Sequence, residues 1–200
     1  MNRSEHKVQS VAVYCGSQFG NKPIYKQTAE AVALALVKRN IAVVYGGGDV
    51  GLMGVVANTA LTHGGKVTGV MPKFLMEIEG HYDLTESIIV DTMHERKTIM
   101  VDRSDGFLIL PGGFGTLDEF MEITTWAQLK LHRKPIGLYN VNGYYDHLIA
   151  HIDHMIAEGF ILPIYRDLIL DDNDLERLLD RMEAYSQQQA TSAKLEDATN

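Results

Sequence analysis

The sequence has little cysteine: Cys15 is its one cysteine among 200 residues. A single thiol excludes a disulfide within the chain and a cysteine-rich zinc site, and it suits a reducing compartment. No apolar run is long enough to cross a bilayer, and residues 1–10 are polar rather than signal-like. We therefore expect a cytoplasmic protein with no membrane partner.

Positive charge is also scarce. The chain carries 18 Lys and Arg against 26 Asp and Glu, which gives a net charge of -8 with no long basic block. Nucleic-acid binding is not expected, because it depends on clustered cations that neutralise phosphates. A small phosphorylated ligand remains compatible, since backbone amides and a few cations set the local field.

What the chain does contain is an alternation of apolar runs and helical patterns. Runs typical of strands cover residues 11–14, 41–45, 67–70, 88–90, 107–110, 136–139 and 168–170. Helical patterns cover residues 24–38, 52–63, 94–103, 116–131, 144–158 and 172–187, and an irregular segment runs through Gly80. This order predicts an α/β fold, a Rossmann-like, mostly parallel sheet with helices on both faces. We assign residues 1–187 to one domain and expect the polar residues 188–200 to form a disordered tail.

Two glycine-rich turns follow strands and open helices. One has the sequence PGGFGTLDE at 111–119, and the other has GGGDVGLMG at 46–54. Glycines let the backbone approach a ligand, and the free N–H groups at a helix start attract a phosphate. Both turns lie at carboxyl ends of predicted strands, where open α/β sheets bind ligands. We therefore expect them to face one pocket that holds a nucleotide-sized ligand.

The turn at 46–54 also matches the dinucleotide fingerprint, with Gly46, Gly48 and Gly51 at the required spacing. That fingerprint requires an acidic residue after the next strand, whereas here the strand at 67–70 runs into Met71-Pro72-Lys73. An NAD-type site is therefore disfavoured. A tight turn that only packs a helix against the sheet remains the alternative.

Thr116 and Glu119 have the Thr-x-x-Glu spacing of a capping box. Thr116 is expected to cap the helix and can also offer its hydroxyl to a phosphate, with capping alone as the alternative. Glu122 lies three residues beyond Glu119 on the same helical face, and two nearby carboxylates raise the pKa of one of them.

Arg96 and Lys97 lie near the start of a predicted helix, where the helix dipole disfavours positive charge. An anionic partner explains them, and a solvated helix face next to Glu95 is the alternative. The His94-Glu95 pair does not begin a zinc-protease motif, because Thr98 stands where that motif has its second histidine.

Two further features carry weaker signals. Ser17 lies in GSQFG at 16–20, which is not a nucleophile elbow, but it follows the first strand and can still contact the ligand. His147, His151 and His154 share a helical face. No cysteine or glycine loop supports a metal site there, so we assign no metal.

Six motifs occur together in an order that resembles a known family. They are CGS at 15–17, YGGG at 45–48, GLMG at 51–54, MHERKTIM at 93–100, PGGFGTLDE at 111–119 and WAQL at 126–129. In these motifs the chain resembles the Lonely Guy (LOG) family over about residues 11–161. Members of that family are cytokinin riboside 5'-monophosphate phosphoribohydrolases, which cut the N-glycosidic bond of an N6-modified AMP and release the free base and ribose 5-phosphate.

The resemblance implies an enzyme without metal or redox cofactor that acts on a small-molecule nucleoside monophosphate. It also implies a homodimer whose site is completed near the subunit interface. Sequences of this kind once carried the label lysine decarboxylase. That chemistry normally needs a lysine that binds pyridoxal phosphate, and neither glycine turn contains a lysine.

Matched residue by residue, the family pattern makes Arg96 and Glu119 the catalytic pair. The residues that it implies in nucleotide binding are Glu79, Lys97, Gly113, Phe114, Gly115, Thr116, Leu117, Asp118 and Thr125. From the turns themselves we add Ser17, Gly47 and Gly48 as ligand-binding candidates. Asp118 stands where many relatives have Glu, and Lys130 replaces a common Gly.

Two other functions remain open on the sequence. One is a broader nucleoside-monophosphate nucleosidase that also cleaves unmodified AMP, and the other is a nucleotide-binding or carrier protein that does not hydrolyse its ligand. No motif marks the pocket for the N6 substituent, so the sequence does not identify the base.

Overall fold

A seven-stranded parallel sheet forms the centre of the computed structural model, which describes residues 7–79 and 84–199. The strands are β1 (Ser10–Tyr14), β2 (Ala42–Tyr45), β3 (Val67–Pro72), β4 (Glu86–Val90), β5 (Gly106–Ile109), β6 (Ile136–Tyr139) and β7 (Ile169–Asp172). Their order in the sheet is β4-β3-β2-β1-β5-β6-β7, so the direction of strand addition reverses between β1 and β5. Ligands of such sheets bind at this reversal.

Helices connect the strands. They are α1 (Pro23–Lys38), α2 (Gly51–Thr62), α3 (Lys73–Glu79), α4 (Met93–Asp102), α5 (Phe114–Gln128), α6 (Asp146–Ala157) and α7 (Leu175–Thr199). Short 3-10 turns cover Val141–Gly143 and Pro163–Leu168. Within the ranges described, no helix has the length and apolar character needed to cross a membrane.

The two faces of the sheet carry separate apolar cores, as strand alternation requires. In β1, Val11 and Val13 belong to the core shared with α1, α2 and α7, whereas Ala12 and Tyr14 belong to the core shared with α4, α5 and α6. All four side chains are at most 2% exposed. The predicted α/β fold with helices on both faces of a parallel sheet is thus confirmed.

Two elements differ from the sequence prediction. Helix α3 occupies most of the segment that we expected to be irregular, because seven residues give too few turns for an apolar period to show. Helix α7 continues to Thr199, whereas the sequence analysis ended it at 187 and expected a disordered tail. The added residues are rich in the helix formers Ala, Gln, Glu and Lys, which favour a helix without producing an apolar stripe.

Candidate active site

Gly16 joins the three loops that follow β1, β2 and β5. Its N–H donates to the carbonyl oxygen of Pro111 at 3.0 Å, and its own carbonyl accepts from the N–H of Leu52 at 2.9 Å. β1 lies between β2 and β5 in the sheet, so these loops are neighbours by construction. The strand order therefore brings both glycine-rich turns to one edge of the sheet, as the sequence predicts.

Helix α4 delivers Arg96 to this edge. Its first turn is closed by a capping box, in which the Thr92 hydroxyl accepts from the Glu95 N–H and the Glu95 carboxylate accepts from the Thr92 N–H, each at 3.1 Å. Arg96 follows directly and is 6% exposed. The predicted helix at 94–103 begins one residue too late, so Thr92 does not fall at its N-cap position.

The Arg96 guanidinium is held from two sides. Its Nε donates to the Val70 carbonyl in β3 at 3.1 Å, and its Nη1 lies 3.0 Å from Glu119 Oε1. A side chain at position 46 would collide with Nη2, so the first glycine of the 46–54 turn provides the space that the guanidinium occupies. The predicted anionic partner of Arg96 is therefore Glu119, and the solvated-face alternative is wrong for Arg96.

Glu119 lies on α5, with its side chain 12% exposed. Burial raises the pKa of its carboxyl from the ordinary 4.5 to about 7, although Arg96 and Lys97 oppose the shift. Asp118 contributes a further rise. The pairing of Glu119 with Glu122 predicts a raised pKa for one carboxyl, but burial is the main cause of the rise at Glu119 and the contributing anion is Asp118.

Lys97 pairs with two carboxylates of α5. Its Nζ lies 2.8 Å from Asp118 Oδ2 and 3.3 Å from Glu122 Oε2. Burial lowers the pKa of Lys97, but the hydrogen bond to Asp118 and the charge of Glu122 outweigh it, so the pKa is raised and the ammonium stays charged. These contacts join α4 to α5 beside the Arg96–Glu119 pair.

Half of the predicted site residues, including both catalytic candidates, line one cleft of about 250 Å³. The cleft is lined by Cys15, Gly16, Ser17, Met53, Leu75, Met93, Arg96, Gly113, Phe114, Gly115, Thr116 and Glu119. Ideal Cβ atoms built at Gly113 and Gly115 would meet open space, so the backbone at the start of α5 is accessible to a ligand. The structure thus brings the glycine turn at 111–119 and the catalytic candidates together.

Helix α5 begins two residues earlier than expected. Gly113 is its N-cap, without a side-chain cap, and Thr116 lies in the first turn with 3% exposure. The prediction that Thr116 caps the helix is therefore wrong. The glycines allow the chain to turn into the helix before Thr116. The first backbone N–H groups of α5 therefore lie at the end of the helix that borders the cleft.

Four other predicted ligand residues lie elsewhere. Gly47 and Gly48 are buried and do not line the cleft, and Leu117 packs against the core under α5. Thr125 is exposed, and its hydroxyl donates to the Met121 carbonyl at 2.8 Å. It lies about 9 Å beyond Glu119 along the helix axis. The side chain of Glu79 falls outside the described side chains.

Sequence reasoning missed the apolar wall of the cleft, which is formed by Met53, Leu75 and Met93. Single methionines and leucines carry no signal that separates a ligand wall from a core. Cys15 also lines the cleft, and burial together with the Glu119 charge raises the pKa of its thiol. Because the thiolate is the reactive form, Cys15 is not a nucleophile here.

The three histidines of α6 do not form a metal centre. The rings of His151 and His154 are 6.3 Å apart. Over the residues that the structure describes, no group of three or more His, Cys, Asp or Glu side chains is placed to hold a metal ion.

Comparison with known proteins identifies relatives over most of the chain. A family model described as "Possible lysine decarboxylase" matches residues 53–182. The cytokinin riboside 5'-monophosphate phosphoribohydrolases LOG1 and LOG7 of Arabidopsis thaliana are each 46% identical to this chain. The alignments cover 90% and 92% of this chain, and 85% and 86% of the relatives. A probable enzyme of the same name from Oryza sativa subsp. japonica, LOGL1, is 48% identical over 88% of this chain and 79% of its own length.

Solved structures share the fold at much lower sequence identity. The molybdenum cofactor binding protein from Rippkaea orientalis superposes with a TM-score of 0.65 at 17% identity, covering 88% of this chain and 95% of that one. The molybdenum cofactor carrier protein from Chlamydomonas reinhardtii gives 0.63 at 17% identity, with 88% and 96% covered. Identity this low establishes the fold alone. The family follows from the LOG relatives, and the resemblance drawn from the six motifs is confirmed: this chain belongs to the Lonely Guy (LOG) family.

Proposed function

We propose that this protein hydrolyses the N-glycosidic bond of cytokinin riboside 5'-monophosphates and releases the free base and ribose 5-phosphate. The close relatives carry the name of this activity. The observation that supports it most directly is the Arg96–Glu119 pair, which lies in the cleft next to the open backbone of Gly113 and Gly115. A carboxylate and an anion-binding turn are what this reaction needs.

Glu119 acts on the sugar. As the bond between C1' and the base nitrogen breaks, positive charge develops on the ribose, and a buried carboxylate stabilises it. Glu119 also orients or deprotonates the attacking water. The water hydroxyl adds to C1', and the remaining proton goes to the departing base, so the products are a neutral base and ribose 5-phosphate.

Arg96 holds Glu119 in place and contributes charge, rather than a proton. An arginine side chain stays protonated in proteins, so it is a poor general acid. With Nε bonded to Val70 and Nη1 bonded to Glu119, the guanidinium is fixed at the wall of the cleft, where its charge attracts the anionic nucleotide. Because it carries a delocalised charge, Arg96 balances the anions that gather at the site.

The 5'-phosphate binds at the start of α5. The first amides of a helix have no partner within the helix, and the helix dipole favours an anion there. Gly113, Phe114, Gly115 and Thr116 supply these groups, with Ser17 facing them across the cleft. Binding the phosphate, which does not react, positions C1' against Glu119. Lys97 and Asp118 lie behind this pair and are proposed to support it electrostatically.

Thr125 is proposed to act on the site of a second subunit, in a homodimer, and Glu79 remains a proposed ligand-binding residue. Thr125 lies too far along α5 to reach the cleft of its own chain. Large apolar side chains are exposed on α5, just after it, and in and before the 3-10 turn Pro163–Leu168, which packs against α5. They are Met121, Leu129, Leu131, Phe160, Leu162 and Ile164. A surface of this kind suits a subunit interface.

For the cellular location of the protein we propose the cytoplasm.

The test is to incubate the purified protein with isopentenyladenosine 5'-monophosphate and, separately, with AMP, and to measure free base and ribose 5-phosphate by chromatography. We expect release from the modified nucleotide and slower release from AMP, and loss of both in Glu119→Gln and Arg96→Ala. Equal rates would favour the broader nucleosidase. Tight binding of both nucleotides without release would support a carrier.

A further inference from the structure

Three consecutive carbonyl groups before α5 are each held by a donor from another part of the chain. The Leu110 carbonyl accepts from the Tyr145 hydroxyl at 2.6 Å, and the Pro111 carbonyl accepts from the Gly16 N–H at 3.0 Å. The Gly112 carbonyl accepts from the Tyr144 hydroxyl at 2.6 Å. The backbone that leads into the glycine turn is therefore fixed at each peptide unit.

These bonds determine which way the amides face. In a planar trans peptide the carbonyl and the N–H of the same unit point in opposite directions. The carbonyl of Gly112 shares its peptide unit with the N–H of Gly113, the N-cap residue that lines the cleft. When Tyr144 holds this carbonyl, the Gly113 N–H is turned to the opposite side.

The hydrogen bond from Tyr145 to the Leu110 carbonyl does not orient a backbone N–H group. The carbonyl of Leu110 shares its peptide unit with the nitrogen of Pro111, which carries no hydrogen. Tyr145 therefore fixes the chain without orienting a donor. The two adjacent tyrosines make bonds of the same length to carbonyls two residues apart, but only one of these carbonyls belongs to a peptide unit with an N–H.

We propose that Tyr144 is a positioning residue for the glycosidic reaction: its hydroxyl orients the Gly112–Gly113 peptide so that the Gly113 N–H donates to the 5'-phosphate of the nucleotide. This inference rests on the proposed anchoring of the phosphate at the start of α5. Tyr144 is not among the residues of the catalytic cleft, but it lines an adjoining pocket that shares Gly16, Ser17 and Gly113 with it. The role proposed for its hydroxyl is to act through the backbone of the Gly112–Gly113 peptide.

The surroundings of Tyr144 suit this role. Its ring packs edge-on against Tyr25 and Tyr145, with ring centroids 5.7 Å and 4.9 Å apart. The turn before it is fixed by Asn140, whose side-chain oxygen accepts from the Tyr145 N–H at 2.7 Å and whose side-chain nitrogen donates to Asp146 at 2.7 Å. The hydroxyl is therefore held in one direction before any ligand arrives.

The test uses Tyr144→Phe, which removes the hydroxyl and keeps the ring contacts. We measure KM for isopentenyladenosine monophosphate, and inhibition constants for ribose 5-phosphate and for the riboside that lacks phosphate. Because a hydrogen bond to a charged group is being misaligned, KM and the ribose 5-phosphate constant are expected to rise about five- to tenfold. The riboside constant is expected to stay unchanged, because the riboside does not use the Gly113 amide.

Two tyrosine variants serve as controls. Tyr145→Phe loses the same atom from the adjacent residue and should lower the melting temperature while leaving the preference for phosphorylated ligands intact. Tyr25→Phe keeps the ring that packs against Tyr144 and should leave both inhibition constants unchanged. If Tyr144→Phe weakens the riboside and ribose 5-phosphate equally, or neither, the positioning role is overturned.

A failure of the underlying proposal has a different signature. If the wild-type protein binds the riboside as tightly as the monophosphate, the phosphate is not anchored, and both the anchoring and the role of Tyr144 are overturned together. If the wild type prefers the monophosphate and Tyr144→Phe keeps that preference, only the role of Tyr144 is overturned.

Discussion

Arg96 Nη1 lies 3.0 Å from Glu119 Oε1, across 23 residues of sequence, and the two side chains are 8% and 12% exposed. Two opposite effects meet in this pair. Burial disfavours the Glu119 carboxylate, whereas the guanidinium favours it, and the result is a pKa of about 7. Glu119 therefore exchanges its proton in the neutral range, where small changes around it alter its charge.

The first prediction concerns the pH dependence of hydrolysis. If the Glu119 carboxylate is the active form, kcat/KM should rise with pH to a plateau, with a midpoint of about 7. Initial rates on isopentenyladenosine monophosphate between about pH 5.5 and 8.5 measure this midpoint. A profile that stays flat across neutral pH would show that Glu119 does not titrate in the reaction.

The same shift predicts a stability effect. The folded pKa of Glu119 is raised above its ordinary value of 4.5, so its contribution favours folding below about pH 4.5 and is lost as pH rises through about 7. Glu119→Gln removes the buried charge and should be more stable than the wild type above pH 7, by up to roughly 3 kcal/mol. Urea unfolding at two pH values measures the difference, which should shrink at the lower pH.

A second prediction uses the neighbours of Glu119. Asp118 raises its pKa and Lys97 lowers it, so Asp118→Asn should move the kcat/KM midpoint down and Lys97→Met should move it up. The phosphate of the substrate also titrates, at about pH 6, which is close to the midpoint expected for Glu119. These variants leave the substrate phosphate unchanged. Movement of the midpoint in opposite directions therefore assigns it to the enzyme.

Glu30→Gln is the matched control for this pair of variants. It removes one half-exposed carboxylate from α1 that does not line the cleft, with the same change in net charge as Asp118→Asn. The midpoint should not move in this variant. A shift equal to that of Asp118→Asn would mean that net charge, rather than the local contact, controls the titration.

A third prediction concerns the space in which Arg96 lies. Gly46→Ala would place a methyl group where Nη2 of Arg96 now sits, so the guanidinium must move away from Glu119. We expect a loss of kcat of about 100-fold or more, since a misplaced catalytic group costs that much. Gly115→Ala, whose methyl group meets open space within the protein, should fold normally and controls for the effect of a glycine replacement on folding alone. Near-normal kcat in Gly46→Ala would refute this account.

A fourth prediction concerns the capping box of α4. Thr92→Ala should lower the free energy of unfolding by about 1 kcal/mol, because the Glu95 N–H loses its acceptor. Thr92→Ser keeps the hydroxyl and should retain most of the stability. Thermal unfolding of the three proteins gives the comparison, and equal melting temperatures would show that the cap contributes nothing measurable.

The fold could be predicted because the inner strands of the sheet are buried on both faces. In β5 and the residue after it, Phe107 to Leu110 are all 0% exposed, and such short continuous apolar runs are visible in sequence. Helix α3 could not be predicted, because it is shorter than two apolar repeats. The predicted start of α5 was wrong because the Thr-x-x-Glu spacing of Thr116 and Glu119 matches the sequence pattern of a capping box, although Thr116 lies inside the helix.

The candidate site could be predicted only in part. Arg96 attracted attention because a cation near a helix start needs a reason, but nothing in its spacing points to Glu119, and the family resemblance supplied that partner. Gly143-Tyr144-Tyr145 belongs to the family resemblance, but nothing in the sequence indicates what the Tyr144 hydroxyl binds. The Tyr144 hydroxyl donates to the carbonyl of Gly112. Because every residue has a backbone carbonyl, only the folded structure shows which carbonyl accepts from this hydroxyl.

Arg96 and Lys97 already share three carboxylates before any nucleotide arrives: Glu119, Asp118 and Glu122. A phosphate that enters this cleft adds negative charge to cations that are already paired, and the group best able to respond is Glu119, whose pKa is near 7. Nucleotide binding should therefore be coupled to proton uptake from solution. Affinity would decline as pH rises, the calorimetric heat of binding would depend on the ionisation enthalpy of the buffer, and the midpoint of kcat would lie above that of kcat/KM because the bound enzyme must release this proton before water attacks.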